Sequence, residues 1–248
     1  MRKMYRSIKR YVNIALGKDV LLRPTAKIKT EYHGFWYGEW AIKGNSLTSE
    51  SSVFSVGVGE DVSFDLSLIN KYGCVVFACD PTTRSQQWVA KSVTDRRFVF
   101  NKIALAATDG SLELFPPSKT AHVSASCRQA SHTSTAPYAV PCMRLTTLMR
   151  EKGVTRIDVL KMDIEGAEYD VIQDIVLSGV AQSIDQLLVE FHHHFSSFST
   201  KDTQKAVEQL CTNNFQIAWV SSAGHEVLFV QNTTRSQVWS TGGVSFLG

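Results

Sequence analysis

Short apolar runs alternate with helical patterns along most of this 248-residue chain, and that alternation constrains the fold more than any other feature. The runs are Ser52–Val56, Val75–Cys79, Arg97–Ala104, Ile157–Met162 and Leu187–Phe191, each about the length of a buried strand. Helical patterns fall between them, at Asp61–Tyr72, Ser85–Lys91, Thr146–Lys152 and Ala167–Leu177. In the first of these Val62, Leu66 and Ile69 share a face, and Gly73 stands where a helix stops. Parallel strands need a crossover, and a helix supplies it, so the pattern predicts an α/β fold with a mostly parallel sheet and helices on both faces. The end of the chain differs. Thr203–Cys211 reads as a helix capped by Thr200 or Asp202, and Phe215–Val220 and Val227–Val230 read as a hairpin. A C-terminal hairpin closing such a sheet makes one strand antiparallel.

Composition agrees with a real core. Hydrophobic residues make up 44% and charged residues 20%, which excludes a disordered, collagen-like or small disulfide-scaffold chain. Cys74, Cys79, Cys127, Cys142 and Cys211 are odd in number and form no C-x-x-C, which argues against a zinc ribbon, a thioredoxin site or a disulfide framework and suits a reducing, cytoplasmic setting. Charge is uneven. Residues 1–30 carry nine Lys or Arg against Asp19 alone, whereas the remainder is net acidic. The reading is a basic N-terminal arm over 1–30 and a single domain over 31–248, within which the Ser/Thr-rich stretch 116–138 is a variable loop. The arm suits peripheral contact with an anionic membrane. The acidic body makes a nucleic-acid partner a poor fit. No apolar run reaches the roughly 18 residues that would span a bilayer. Val12–Leu16 is short and interrupted by Asn13, so a secretory signal fits poorly, while an organelle transit segment stays open.

Ligands of an open parallel sheet bind beyond the carboxyl ends of its strands. Gly57-Val58-Gly59-Glu60-Asp61 follows the first run. Two glycines one residue apart let the backbone turn tightly and approach a ligand closely. Val62 occupies the place of the third glycine of a dinucleotide fingerprint, which disfavours a pyrophosphate cradle and a nicotinamide dehydrogenase. Glu60 and Asp61 repel phosphate and suit a cationic ligand such as a sulfonium bearing an amino group. Asp80, followed by Pro81, stands where a carboxylate holds a ribose diol or caps the next helix. Asp163 ends the fourth run, with Glu165 and Glu168 at the start of the next helix; ligand contact, base, metal ligand and helix cap are its open roles. Glu190-Phe191-His192-His193-His194 follows the fifth run, and strand alternation would place Glu190, His192 and His194 on one side. Histidine is the usual general base near neutrality. No spacing motif completes a metal set around His192 and His194, so no metal site is assigned. The aromatic stretch of Tyr32, Phe35, Trp36, Tyr37 and Trp40 suits either stacking on a ligand or packing of the sheet edge.

These blocks together resemble the FkbM-type methyltransferases. Ile157-Asp-Val-Leu-Lys-Met-Asp-Ile-Glu-Gly-Ala-Glu168 is similar to that family's I-D-x-L-K-x-D-x-E-G-x-E block, and Ala78-Cys-Asp-Pro-Thr82 and Leu187–His192 to two others. Ser55-Val-Gly-Val-Gly-Glu-Asp-Val-Ser-Phe-Asp65 is similar to a variant first motif, G-x-G-x-D-x-S-F-D, of a methyltransferase-like subgroup. The resemblance covers roughly residues 35–230. It implies a Rossmann-like class I methyltransferase with a seven-stranded sheet, its last strand antiparallel, and S-adenosylmethionine as cofactor. Gly57, Gly59, Glu60 and Asp61 would then lie along the methionine part, Asp80 and Pro81 at the ribose, and Asp163 and Glu165 along the transfer cleft. The sequence departs from the pattern at Ser55, where an acid is usual, and at Leu145-Thr146, where Leu-Asp is usual.

Methyl transfer is an in-line displacement in which the enzyme mainly positions the nucleophile. A sugar or alcohol hydroxyl also gains from a base, for which Asp163 or His192 is the candidate, with Glu190 supporting His192. The expected activity is O-methylation of a hydroxyl on a glycan or small molecule. The alternative is a methyltransferase-fold binding or scaffold protein without turnover, favoured by Ser55 and Thr146.

Overall fold

The computed structural model describes residues 10–35, 38–118, 125–129 and 133–232. Two short strands, β1 (Thr30–His33) and β2 (Trp40–Lys43), pair antiparallel ahead of the alternating region. Then follow β3 (Ser52–Val56), α1 (Ser63–Tyr72), β4 (Val75–Cys79), α2 (Thr83–Ser92) and β5 (Phe98–Asn101). An excursion through β6 (Ala104–Leu105), β7 (Gly110–Leu114) and β8 (Tyr138–Met143) leads to α3 (Leu145–Glu151). The chain returns through β9 (Val159–Met162), α4 (Glu168–Leu177), β10 (Gln186–Glu190) and α5 (Thr200–Thr212), and closes with β11 (Phe215–Val220) and β12 (Glu226–Gln231).

The main sheet has seven strands in the order β11-β12-β10-β9-β3-β4-β5. Neighbours from β10 to β5 are parallel, and β12 is antiparallel to both β10 and β11. This is the mostly parallel sheet with a closing antiparallel pair that the sequence implies. Both faces are covered, which is why the strands read as continuous apolar runs. Val53, Val76, Val159 and Leu188 pack on the face carrying α1, with Leu68 and Ile69. Phe54, Leu160, Leu187 and Val189 pack on the opposite face with Ile172 and Leu210 from α4 and α5. The core face of α1 is Phe64, Asp65, Leu68 and Ile69, one step round from the predicted stripe, and Gly73 ends the helix in the left-handed region at φ 74°. Ser199, not Thr200 or Asp202, is the N-cap of α5, and Asp202 completes a capping box with it.

Three segments differ from the sequence reading. The run 97–104 is two strands, because Asn101 turns the chain: its amide donates to the Ala78 and Val99 carbonyls, and Ile103 N–H returns to the Asn101 carbonyl. The second part, β6, leaves the main sheet for a three-stranded sheet ordered β6-β8-β7. Strand β8 was hidden by Pro141, which normally demotes a strand; it is tolerated here because the short β6 pairs only with Cys142 and Met143. Parts of the loop 116–138 are ordered against this small sheet through the Phe115–Ser126 and Pro117–Thr133 bridges, while 119–124 and 130–132 lie outside the described residues.

The described part of the basic arm is docked. Residues 10–15 are helical, Gly17 turns at φ 69°, and Val20 and Leu22 are buried in the core. Thr25 and Ala26 N–H both donate to the Ile217 carbonyl on β11. Within the aromatic stretch, Trp40 is buried and the Trp219 indole donates to Tyr32 Oη, whereas Phe35 is 71% exposed. Trp36 and Tyr37 lie outside the described residues.

Candidate active site

The strand order reverses between β3 and β9, where ligands enter an open sheet. The loop after β3 crosses the end of β9 there. A Cβ on Gly57, at φ 83°, would lie 1.7 Å from the Asp163 carbonyl oxygen, so only glycine fits. Gly59, at φ 58°, has nothing within 4 Å of a Cβ position and leaves open space over the loop. Beside it is a cavity of about 390 Å³, walled by β3 and β9, by Leu112 and Leu114 of β7, and by Ala125 of the segment after it. Ser126 fixes that segment by donating to the Glu165 carbonyl.

Asp80 and Pro81 line the cavity as expected. The Asp80 carboxylate, however, already accepts four hydrogen bonds. Oδ2 takes Val58 and Gly59 N–H at 3.1 and 3.0 Å, and Oδ1 takes Thr82 N–H and hydroxyl at 2.9 and 2.6 Å. In this structure Asp80 shapes the glycine loop. Asp80→Ala leaves those donors unpaired, and we expect a loss of about 1–3 kcal/mol of stability together with at least about a tenfold loss of ligand affinity. Thermal melting and a binding titration check this; no change in either would contradict it.

Glu60 lines the cavity rim but is paired with Arg84 at 2.8 and 3.0 Å, and Asp61 Oδ1 accepts Ser63 N–H. Neither replaces the acid missing at Ser55. Asp65 does. It projects from α1 into the cavity lining, is 2% exposed, and its Oδ1 has no hydrogen-bond partner. Burial pushes its carboxyl up to about 6, against the pull of the Lys161 ammonium. An orphaned buried carboxylate oxygen beside the glycine loop fits a cationic amino group. Lys161 itself donates to the Gly57 carbonyl at 3.1 Å and lies 5.3 Å over the Trp40 ring, so it braces the same loop. Sequence reasoning quoted Asp65 within its motif without giving it a role. The signal was its helical spacing from Asp61, which puts it one turn further in.

The second half of the site is acidic. Asp163 follows β9, and Glu165 stands at φ 53°, a conformation that side chains other than glycine rarely adopt. His192 Nε2 lies 3.6 Å from Asp163 Oδ1 and 3.4 Å from Glu165 Oε2. Its other ring nitrogen is 3.1 Å from Oε1 of Glu168, which also accepts His192 N–H at 2.9 Å, while Glu168 Oε2 accepts Gly166 N–H. Glu168 is fully buried and is the residue that orients His192; Glu190, predicted for that task, makes no such bond. Sequence reasoning placed Glu168 at the helix start for the dipole alone. β10 ends at Glu190; beyond it the His192 and His194 rings lie 5.7 Å apart, and His194 also stacks on His225 at 4.8 Å. The donor atoms of Asp163, Glu165 and His192 lie within 4.8 Å of one another, close enough to share a cation.

Burial opposes a charged His192, yet Glu168, Glu165 and Asp163 outweigh it and push its pKa up to about 10. Burial, with the Asp163 charge, pushes Glu190 up to about 9. Both shifts mean that the folded chain keeps protons the unfolded chain has released. His192 adds stability that is complete below pH 6.5 and is lost as pH rises through about 10, and Glu190 acts in the same direction from pH 4.5 upward. We expect Tm to fall by about 5 °C between pH 6.5 and 9.5, on the order of 2 kcal/mol, and the slope to flatten in His192→Ala. A Tm that rises over that range would contradict the assignment.

The FkbM methyltransferase domain matches residues 55–217, about two thirds of the chain, including the glycine loop, Asp65, Asp80, Asp163 and His192. The chain belongs to the FkbM methyltransferase family. The cofactor of the FkbM domain is S-adenosylmethionine. The domain is 27% identical over 161 residues to the probable methyltransferase-like protein 24 of Rattus norvegicus, a match covering 64% of this chain and 38% of the rat protein. It is 28% identical over 156 residues to the Homo sapiens protein of that name, covering 62% of this chain and 36% of the human one. The chain thus aligns with well under half the length of either relative. Among solved structures, it is similar to the Methanococcus jannaschii fibrillarin pre-rRNA processing protein, with a TM-score of 0.44, 10% identity and coverage of 76% and 68% of the two chains. It is also similar to Aeropyrum pernix fibrillarin, a structure with natively bound S-adenosyl-L-methionine, with a TM-score of 0.40, 10% identity and coverage of 83% and 84%. The glycine loop and Asp65, whose Oδ1 has no hydrogen-bond partner, lie together in the lining of the cavity. No helix among the described residues is long and apolar enough to cross a membrane.

Proposed function

We propose that this FkbM domain methylates a hydroxyl group on a glycan or other small acceptor. The observation that carries the reading is the placement of Asp163 in the cavity lining, just past the strand whose end the glycine loop crosses, with His192 beside it. When bound, S-adenosylmethionine supplies an activated sulfonium methyl. The chain's own work is to hold the acceptor oxygen in line and to take its proton. Asp163 is the proton acceptor. His192, already protonated near neutral pH, donates a hydrogen bond and orients the acceptor, and Glu168 fixes its ring. Glu190 is protonated at the same pH and so is not a carboxylate partner for His192. Leu112, Leu114 and Ala125 exclude water from the side. Asp65 supplies the carboxylate that Ser55 lacks, which removes the main feature favouring a scaffold without turnover.

The test is transfer of labelled methyl from S-adenosylmethionine to a panel of sugars, glycolipids, small alcohols and, for contrast, oligonucleotides and amines. Label entering hydroxyl-bearing acceptors as a methyl ether supports the reading. Label confined to nucleic acid or amines, or cofactor binding with no transfer to any hydroxyl, would overturn it.

A further inference from the structure

A second cluster of metal-ligating side chains lies outside the methyl-transfer site. Asp19 comes from the docked arm, His193 from the turn after β10, and His225 from the turn before β12. One donor atom from each lies within 4.8 Å of the others. The Asp19 and His193 side chains are only 4% and 1% exposed. Asp19 and His225 fall outside residues 55–217, so the cluster is not contained in the matched family domain.

His193 shows what the cluster lacks. Its Nε2 is buried and has no hydrogen-bond partner, although Asp19 Oδ1 is only 3.3 Å away. Oδ1 also accepts Val20 N–H at 2.6 Å. Two donor atoms on one tetrahedral zinc ion, with bonds of about 2.0 Å, stand about 3.3 Å apart. The other ring nitrogen, Nδ1, is 3.1 Å from Thr203 Oγ1, which in turn is 3.0 Å from Tyr169 Oη. An Nδ1–H donated to Thr203 leaves the Nε2 lone pair facing a carboxylate, an arrangement that calls for a cation between them. Metal-bound histidines are commonly oriented through the opposite ring nitrogen in this way. Arg10 stands on the far side of Asp19, its Nε 4.0 Å from Oδ2, and leaves the His193 side to another cation.

We infer that Asp19, His193 and His225 bind a divalent transition-metal ion, zinc by preference for two imidazoles and one carboxylate. Three protein donors leave a fourth position to water. The ion ties the arm to the end of the sheet and fixes the backbone next to His192. Its role is structural and independent of the proposed methyl transfer.

The experiment uses the tag-free full chain, stripped with a chelator and titrated with zinc chloride against a chromophoric competitor. One equivalent is expected to bind, and Asp19→Asn and His225→Ala are each expected to weaken it by at least about 100-fold. His192→Ala, which disables the other cluster, is expected to leave zinc affinity within about threefold. Thr203→Val should cost about tenfold, the scale of a supporting contact. Absence of binding, or binding lost in His192→Ala and kept in the other two, would overturn the site. Cobalt substitution of the wild-type chain needs no variant: the intense visible absorption of a tetrahedral ion with nitrogen donors supports the site, and the weak spectrum of an all-oxygen octahedral ion contradicts it.

Discussion

Gly57→Ala is expected to abolish cofactor binding. The new Cβ would sit 1.7 Å from the Asp163 carbonyl oxygen, a backbone atom that cannot swing aside. The residue would also have to hold φ 83°, which alanine resists. Relief requires the loop after β3 to lift away from β9. That breaks the bond from Gly57 N–H to the Cys79 carbonyl and the brace from Lys161 to the Gly57 carbonyl. The cost should exceed about 4 kcal/mol, the range of severe backbone and packing damage. Gly59→Ala is the control. Its φ of 58° is strained, but a Cβ there meets nothing within 4 Å, so about 1 kcal/mol is expected. Comparable losses in the two variants would mean that close approach to β9 is not what the loop depends on.

Asp163→Asn is expected to lower methyl transfer by about 100- to 10,000-fold, the usual scale for removing a general base. The amide is nearly the same size and leaves the backbone bond from Asp163 N–H to the Val56 carbonyl in place. Cofactor affinity should therefore stay within about threefold of wild type. His192→Ala should lower turnover less, because that residue orients the acceptor rather than taking its proton. Full turnover in Asp163→Asn would remove it from the chemistry and contradict its role as the base.

The sheet was legible because strands buried on both faces must be largely apolar: Val75–Cys79 is wholly so, and Val159–Met162 is broken only by Lys161, whose ammonium reaches the Gly57 carbonyl at the strand end. The glycine loop, Asp80, Asp163 and His192 were legible because ligands gather at strand ends. What could not be read was which carboxylate does which task. Asp80, Asp65 and Glu168 are all acids near a helix start, and only the folded chain shows that Asp80 holds the loop, Asp65 keeps Oδ1 without a hydrogen-bond partner and Glu168 grips His192. These partners are 21 to 24 residues apart in sequence where they are paired at all. Strand β8 was masked by Pro141, whose missing N–H matters less than usual beside a two-residue neighbour. The arm was read from its net charge, which says nothing of Val20 and Leu22, the apolar pair that anchors it.

The central claim is that this cavity is an S-adenosylmethionine site built on Gly57, Gly59 and Asp65. Calorimetric titration of the full chain with S-adenosylmethionine, its demethylated product and NAD tests it most directly. The account predicts one site per chain for the first two, weakened by Asp65→Asn, and no heat with NAD. Binding of NAD, or no binding of S-adenosylmethionine by a folded chain, would contradict it.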